Sequence, residues 1–137
     1  MNKIAYKGGY KYQIVEGYEV DIPVKPEKDI DIDYVKLSPE GHLAIKKGYA
    51  WDGPSGPTID TRDFMRGSLV HDALYQLIRE GHLEESEYRD PADRLIRQMC
   101  LEDGMNPVRA TWVYYALRWF GKPAADPAAK RPVIHAP

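Results

Sequence analysis

The chain has a single cysteine, Cys100, so no disulfide can brace it internally and packing alone must hold the fold. A reducing compartment suits that composition. Long apolar runs are also missing: no stretch approaches the roughly 20 residues of a membrane-spanning helix, and the first residues lack the apolar core of a signal peptide. The expectation is a protein made in the cytosol that stays soluble unless an assembly carries it elsewhere. Neither sign of charge dominates. With 19 basic against 21 acidic residues, and a net charge of −2, no basic field steers the chain onto nucleic acid, and no nucleic-acid partner is expected. Phenylalanine is scarce, 2 residues against 10 Tyr and 3 Trp, which shifts the aromatic surface towards rings that suit half-wet faces and interfaces.

What is present divides by period. At 137 residues the chain fits one α+β domain over 1–121, with a small antiparallel β unit in 1–50 and a helical part in 51–121. From Lys11 to Ile22 apolar residues alternate, with an interruption at Gly17. Pro23 and Pro26 break the run, and Asp29-Ile30-Asp31-Ile32-Asp33 resumes it with an acidic face. Those carboxylates at spacing two resemble a calcium loop only faintly, since Tyr34 stands where such a loop needs glycine; a solvated strand face is the better account. Tyr34–Leu37 and His42–Lys46 flank Ser38-Pro39-Glu40-Gly41, a hairpin signal that leaves His42 as an exposed strand residue.

After the glycine- and proline-rich stretch Tyr49–Pro57 the period changes to 3.6. Helix one takes Asp60 or Thr61 as N-cap, carries Phe64, Val70, Leu74, Leu77 and Ile78 as its apolar stripe, and ends before Gly81. Helix two is predicted to open at Asp90-Pro91, N-cap then proline, which puts Asp93 in its first turn, and to run to about Asp103. Helix three repeats the device at Asn106-Pro107 and carries Val108, Trp112, Tyr115 and Trp119. The final stretch, 122–137, has four prolines and five alanines and no period, and is predicted to be a mobile tail suited to holding a partner.

The chemistry concentrates in Val70-His71-Asp72-Ala73-Leu74-Tyr75. On a helix, His71 and Tyr75 stack one turn apart while Asp72 points about 100° away. A histidine used as a base needs a group that fixes its tautomer and another that stabilises charge developing on the substrate. Asp93 is the candidate for the first, and a hard cation such as Ca²⁺ on Asp72 for the second. Calcium takes about six or seven oxygens, so one carboxylate is not enough, and carbonyls of the loop Tyr49–Gly56 are the candidate remainder.

His-Asp-x-x-Tyr on a helix, after a glycine-containing loop and before an aspartate on an antiparallel helix, resembles the calcium-dependent phospholipase A2 superfamily. The closer likeness is to the disulfide-free phospholipase domain of the parvovirus minor capsid protein. The matching pieces are Tyr49 with Gly53-Pro54-Ser55-Gly56, then His71-Asp72-Ala73-Leu74-Tyr75, then Pro91-Ala92-Asp93, within about residues 49–103. The resemblance implies that His71 activates a water for attack on the sn-2 ester, that Asp93 orients His71, and that Tyr75 hydrogen-bonds Asp93. It also implies that Asp72, with carbonyls around Trp51, Gly53 and Gly56, binds Ca²⁺. The loop departs from the viral pattern by the two extra residues Trp51 and Asp52 and by Ser55 in place of glycine, which adds Asp52 as a candidate ligand. Separately, Trp51-Asp52-Gly53-Pro54-Ser55 followed by His71-Asp72-Ala73-Leu74-Tyr75 is similar to the signature of a family of small phage and prophage proteins catalogued as a domain of unknown function.

These likenesses imply a bacteriophage-encoded, calcium-dependent phospholipase A2-like hydrolase acting on phospholipid, made in the bacterial cytoplasm and carried in a virion. The alternative is a virion or tail structural protein that keeps the helical scaffold without catalysis and meets its partners through residues 122–137. In that reading His71 is a buried histidine on Asp93, Asp93 serves the helix dipole from the first turn, and Asp72 pairs at the surface with Arg79 or Arg89. A metal phosphohydrolase centred on His71-Asp72 needs further histidines, and His82 and His135 are poorly spaced for that role. Tyr88, Arg89, Arg94 and Arg97 form a basic cluster for phospholipid head groups or a solvated helix face.

Overall fold

The structure, a computed structural model, describes residues 6–7, 12–51 and 62–120. It is a mixed α+β arrangement in which a small antiparallel β region precedes three helices. The described residues form two compact units, the strands through Trp51 and the helices. The C-terminal stretch 122–137 lies outside the described residues, as do the candidate helix-one caps Asp60 and Thr61.

The β unit holds two sheets. Strands β1 (Tyr6–Lys7), β2 (Tyr12–Ile14) and β7 (Ala50–Trp51) form one, in the order β1-β2-β7. Strands β3 (Tyr18–Asp21), β4 (Ile30–Ile32), β5 (Val35–Leu37) and β6 (His42–Ile45) form the other, in the order β3-β6-β5-β4, with all pairings antiparallel. The alternation predicts the split at Gly17 and the hairpin at residues 38–41. Gly41 closes that hairpin at φ +87, and a Cβ there would run into the carbonyl oxygen of Ile22, so only glycine fits. The acidic face of β4 is solvent-exposed at Asp31, which lies 3.9 Å from both Lys36 and Lys46. One correction concerns Trp51, expected in the loop that opens the helical part: with Ala50 it forms a strand paired with β2, and its side chain is buried. A two-residue strand has too few positions to show a period of two.

In the helical unit, α1 (Arg62–Arg79) and α2 (Glu85–Glu102) run antiparallel and pack against each other, and α3 (Pro107–Phe120) lies against α2. Gly81 ends α1 at φ +82, where His82 N–H reaches the carbonyl of Leu77 at 2.8 Å. From Phe64 to Ile78, only Asp72 interrupts a continuous run of buried side chains. The helix is thus buried well beyond the stripe its apolar residues define. Gly67 sits where a Cβ would press on Ile96 and Cys100 of α2, so its missing side chain sets the close approach of the two helices.

Helix two departs from expectation. It begins at Glu85, five residues before the predicted opening at Asp90, so Pro91 lies inside the helix and Asp93 about two turns in. The acidic Glu85 and Glu87 suit the positive end of the helix dipole, and the carbonyl of Glu84 accepts from the N–H of Tyr88 at 2.9 Å. Pro91 removes the hydrogen bond that would reach the carbonyl of Glu87, an exposed residue. Helix three starts as predicted, with Asn106 Oδ1 accepting from Val108 N–H at 2.8 Å and Pro107 at the first helical position. Its inward face is Ala110 and Val113, which join Phe64, Ile96, Cys100 and Met105 in one cluster.

On the second sheet, the register places Asp21 opposite His42 and Glu19 two positions on. His42 Nδ1 lies 2.9 Å from Asp21 and Nε2 2.6 Å from Glu19, and these two acceptors raise its pKa above the ordinary histidine value, Asp21 foremost. Because the folded value is the higher one, the contribution to stability is present below pH about 6.5 and is lost as pH rises through the raised midpoint. An NMR titration is expected to give His42 the raised midpoint, and Asp21→Asn to bring it down. A midpoint in Asp21→Asn equal to wild type contradicts the assignment.

Candidate functional site

Four residues apart on α1, His71 and Tyr75 stack with ring centroids 4.0 Å apart, and both face Asp93 on α2. His71 Nε2 lies 2.7 Å from Asp93 Oδ1, and the Tyr75 hydroxyl donates to the same oxygen at 2.6 Å. The other carboxylate oxygen, Oδ2, accepts from Arg118 Nη1 of α3 at 3.0 Å. Asp93 is therefore an acceptor on both oxygens, so Nε2 carries the histidine proton and donates it into the contact. That fixes the tautomer and leaves Nδ1 with a lone pair.

The surroundings explain why this is tolerated. Asp93 is 0 % exposed and His71 5 %. A carboxylate so deeply buried needs an opposite charge and filled hydrogen bonds. Arg118 supplies the charge, and Arg89 adds a second cation one shell out: its Nε donates to the Tyr75 oxygen at 3.3 Å, and its Nη2 to the carbonyls of Leu117 and Arg118 at 2.7 and 2.9 Å. Arg118 also lies 3.7 Å from Asp90, which accepts from the Tyr114 hydroxyl at 2.7 Å. Burial, then the negative charge of Asp93, push the Tyr75 phenol well above its ordinary pKa, so it stays a donor. Cys100 is likewise pushed up to about 12, chiefly by burial, and stays a thiol rather than a nucleophile.

Of the residues singled out in the sequence, the structure brings His71, Tyr75 and Asp93 together. Asp72 is half-buried on α1, and Trp51 is a strand residue. Gly53, Gly56 and Asp52 lie outside the described residues. Among the described residues no group of three His, Cys, Asp or Glu side chains is placed to hold a metal ion. Of the groups named for calcium, the carboxylate of Asp72 and the carbonyl of Trp51 are the described ones. His82 is exposed on the α1–α2 connection and His135 lies outside the described residues.

Two expectations change. Asp93 is mid-helix, so a favourable place in the first turn does not account for it. Arg89 is buried on Tyr75 and α3, so it neither pairs with Asp72 nor belongs to a solvated basic face. Arg118 went unnoticed in the sequence, since its partner is 25 positions away on another helix. Arg89 had a signal, lying four residues before Asp93 on the same face of α2.

Comparisons with protein-family models, curated proteins and solved structures return no match.

The network sets two stabilities apart. Asp93→Ala leaves the donors His71 and Tyr75 of α1 and Arg118 of α3 without their acceptor and is expected to cost about 3–5 kcal/mol. Tyr75→Phe removes one donor and leaves Arg89 its carbonyls, for about 1 kcal/mol. Urea midpoints measure both, and an Asp93→Ala cost no larger than that of Tyr75→Phe contradicts Asp93 as the organising group.

Proposed function

We propose that this chain is a histidine–aspartate hydrolase of phospholipase A2 type that cleaves a phospholipid ester. The observation that supports this reading most is the His71–Asp93 contact, with Tyr75 holding the same carboxylate. A ring that donates through Nε2 has Nδ1 available to take a proton from water, and the attack of that water on an ester carbonyl is the step such a base assists. General-base assistance is worth roughly 10² to 10⁴ in rate. Dependence on calcium, a bacteriophage origin, synthesis in a bacterial host and carriage in a virion rest on the resemblance set out above.

A second reading has its own observation. Arg118 competes for the negative charge of Asp93 that would otherwise strengthen His71 as a base, and it joins α3 to the pair. That arrangement suits a scaffold that locks three helices, as in a virion or tail structural protein without turnover.

Release of fatty acid from phospholipid vesicles, with Ca²⁺ and with chelator, separates the two. Wild type is expected to turn over with Ca²⁺, and His71→Ala to lose at least about 10²-fold while keeping its helical circular dichroism. Absence of wild-type turnover under both conditions, or full activity in His71→Ala, overturns the hydrolase.

A further inference from the structure

Helix α3 packs inward through Ala110 and Val113, and turns its larger apolar side chains the other way. Val108 is 78 % exposed, Trp112 49 %, Tyr115 49 % and Trp119 70 %. At spacings of four, three and four these residues fall within about 60° of one another on the helix, a single stripe about 16 Å long with no charge in it. Tyr115 and Trp119 lean together with ring centroids 5.9 Å apart. Apolar side chains this exposed and this aligned mark a contact surface.

Area and charge identify the occupant. At roughly 150 to 250 Å² per aromatic side chain, the stripe exposes about 500 Å². A stable pair of chains buries about 800 Å² on each partner, so a second copy seated on this stripe alone falls short. Trp and Tyr are the side chains that settle at a lipid–water boundary, ring in the acyl edge and polar atom at the head groups. Charge points the same way. Residues 107–137 carry five basic residues against one acid, of which Arg109 and Arg118 are paired with Asp63 and with Asp90 and Asp93. At the edge of the stripe, Arg97 Nε donates to Thr111 Oγ1 at 3.2 Å, and the guanidinium makes no ion pair among the described residues. A guanidinium there is placed to meet a phosphate while the rings enter the surface.

We propose that the Val108–Trp112–Tyr115–Trp119 face of α3 docks on the surface of an anionic phospholipid bilayer, with Arg97 at head-group level. The helix lies along the surface; no described helix is long and apolar enough to cross it. Docking is independent of the hydrolase reading, since it needs no turnover.

The test uses the full chain, chelator throughout, and vesicles of ether-linked lipids that contain no ester to cleave, either pure phosphatidylcholine or three parts phosphatidylcholine to one of phosphatidylglycerol. Co-sedimentation and tryptophan emission are the readouts. Wild type is expected to bind the anionic vesicles with a blue shift and to bind the neutral ones at least tenfold more weakly. Trp112→Ala/Trp119→Ala is expected to lose at least tenfold in partitioning with its circular dichroism unchanged, and Arg97→Gln to lose part of the anionic preference. No vesicle binding by wild type, binding that the double variant leaves intact, or concentration-dependent dimerisation abolished by the double variant each overturns the proposal.

Discussion

Placing the carboxylate of Asp93 where no water reaches it costs several kcal/mol unless its neighbours replace the lost hydration, and the helical unit is arranged around that replacement. His71 and Tyr75 approach from α1, Arg118 from α3, and Arg89 fills the second rank while closing the carbonyls at the end of α3. Asp93 and Arg89, both on α2, each tie that helix to α1 and to α3 through one side chain. The second polar anchor, Arg66 of α1 on Glu102 and Asp103, joins only the start of α1 to the end of α2. Apolar packing between these ends brings the helices together; the Asp93 node sets which faces meet.

The same node carries the chemical question. A carboxylate that holds a histidine ring by Nε2 and is itself held by a tyrosine one turn along is an arrangement that supports a base at Nδ1. The added guanidinium stabilises the buried charge and, by the same electrostatics, weakens the pull that Asp93 exerts on the imidazole. Catalysis and scaffolding therefore draw on one set of contacts in opposite senses. The outward face of α3 stands apart from that balance, since none of its four apolar residues belongs to the node.

Local signals in the sequence were legible where a single interaction decides them. Asn106-Pro107 opens α3 because the asparagine oxygen reaches the N–H two residues on, and Gly41 closes a hairpin that admits no Cβ. Asp90-Pro91 has the same form as Asn106-Pro107 but lies inside α2, because Glu84 and the acidic turn after it start the helix earlier. The pairing of His71 and Tyr75 follows from helical spacing, and their partnership with Asp93 from the resemblance. Arg118 was out of reach, since nothing near it in sequence points to Asp93. The aromatic period of α3 was visible, but not its phase: small Ala110 lets the helix pack closely, and the larger rings turn outward.

If Asp93 orders this site, the neutral His71 ring exists as one tautomer. Long-range ¹⁵N–¹H correlation NMR of the neutral imidazole reads this directly. The expected result is a proton on Nε2 and a lone pair on Nδ1, as the 2.7 Å contact with Asp93 requires. A proton on Nδ1 with Nε2 bare contradicts both the node and the base it is held to create.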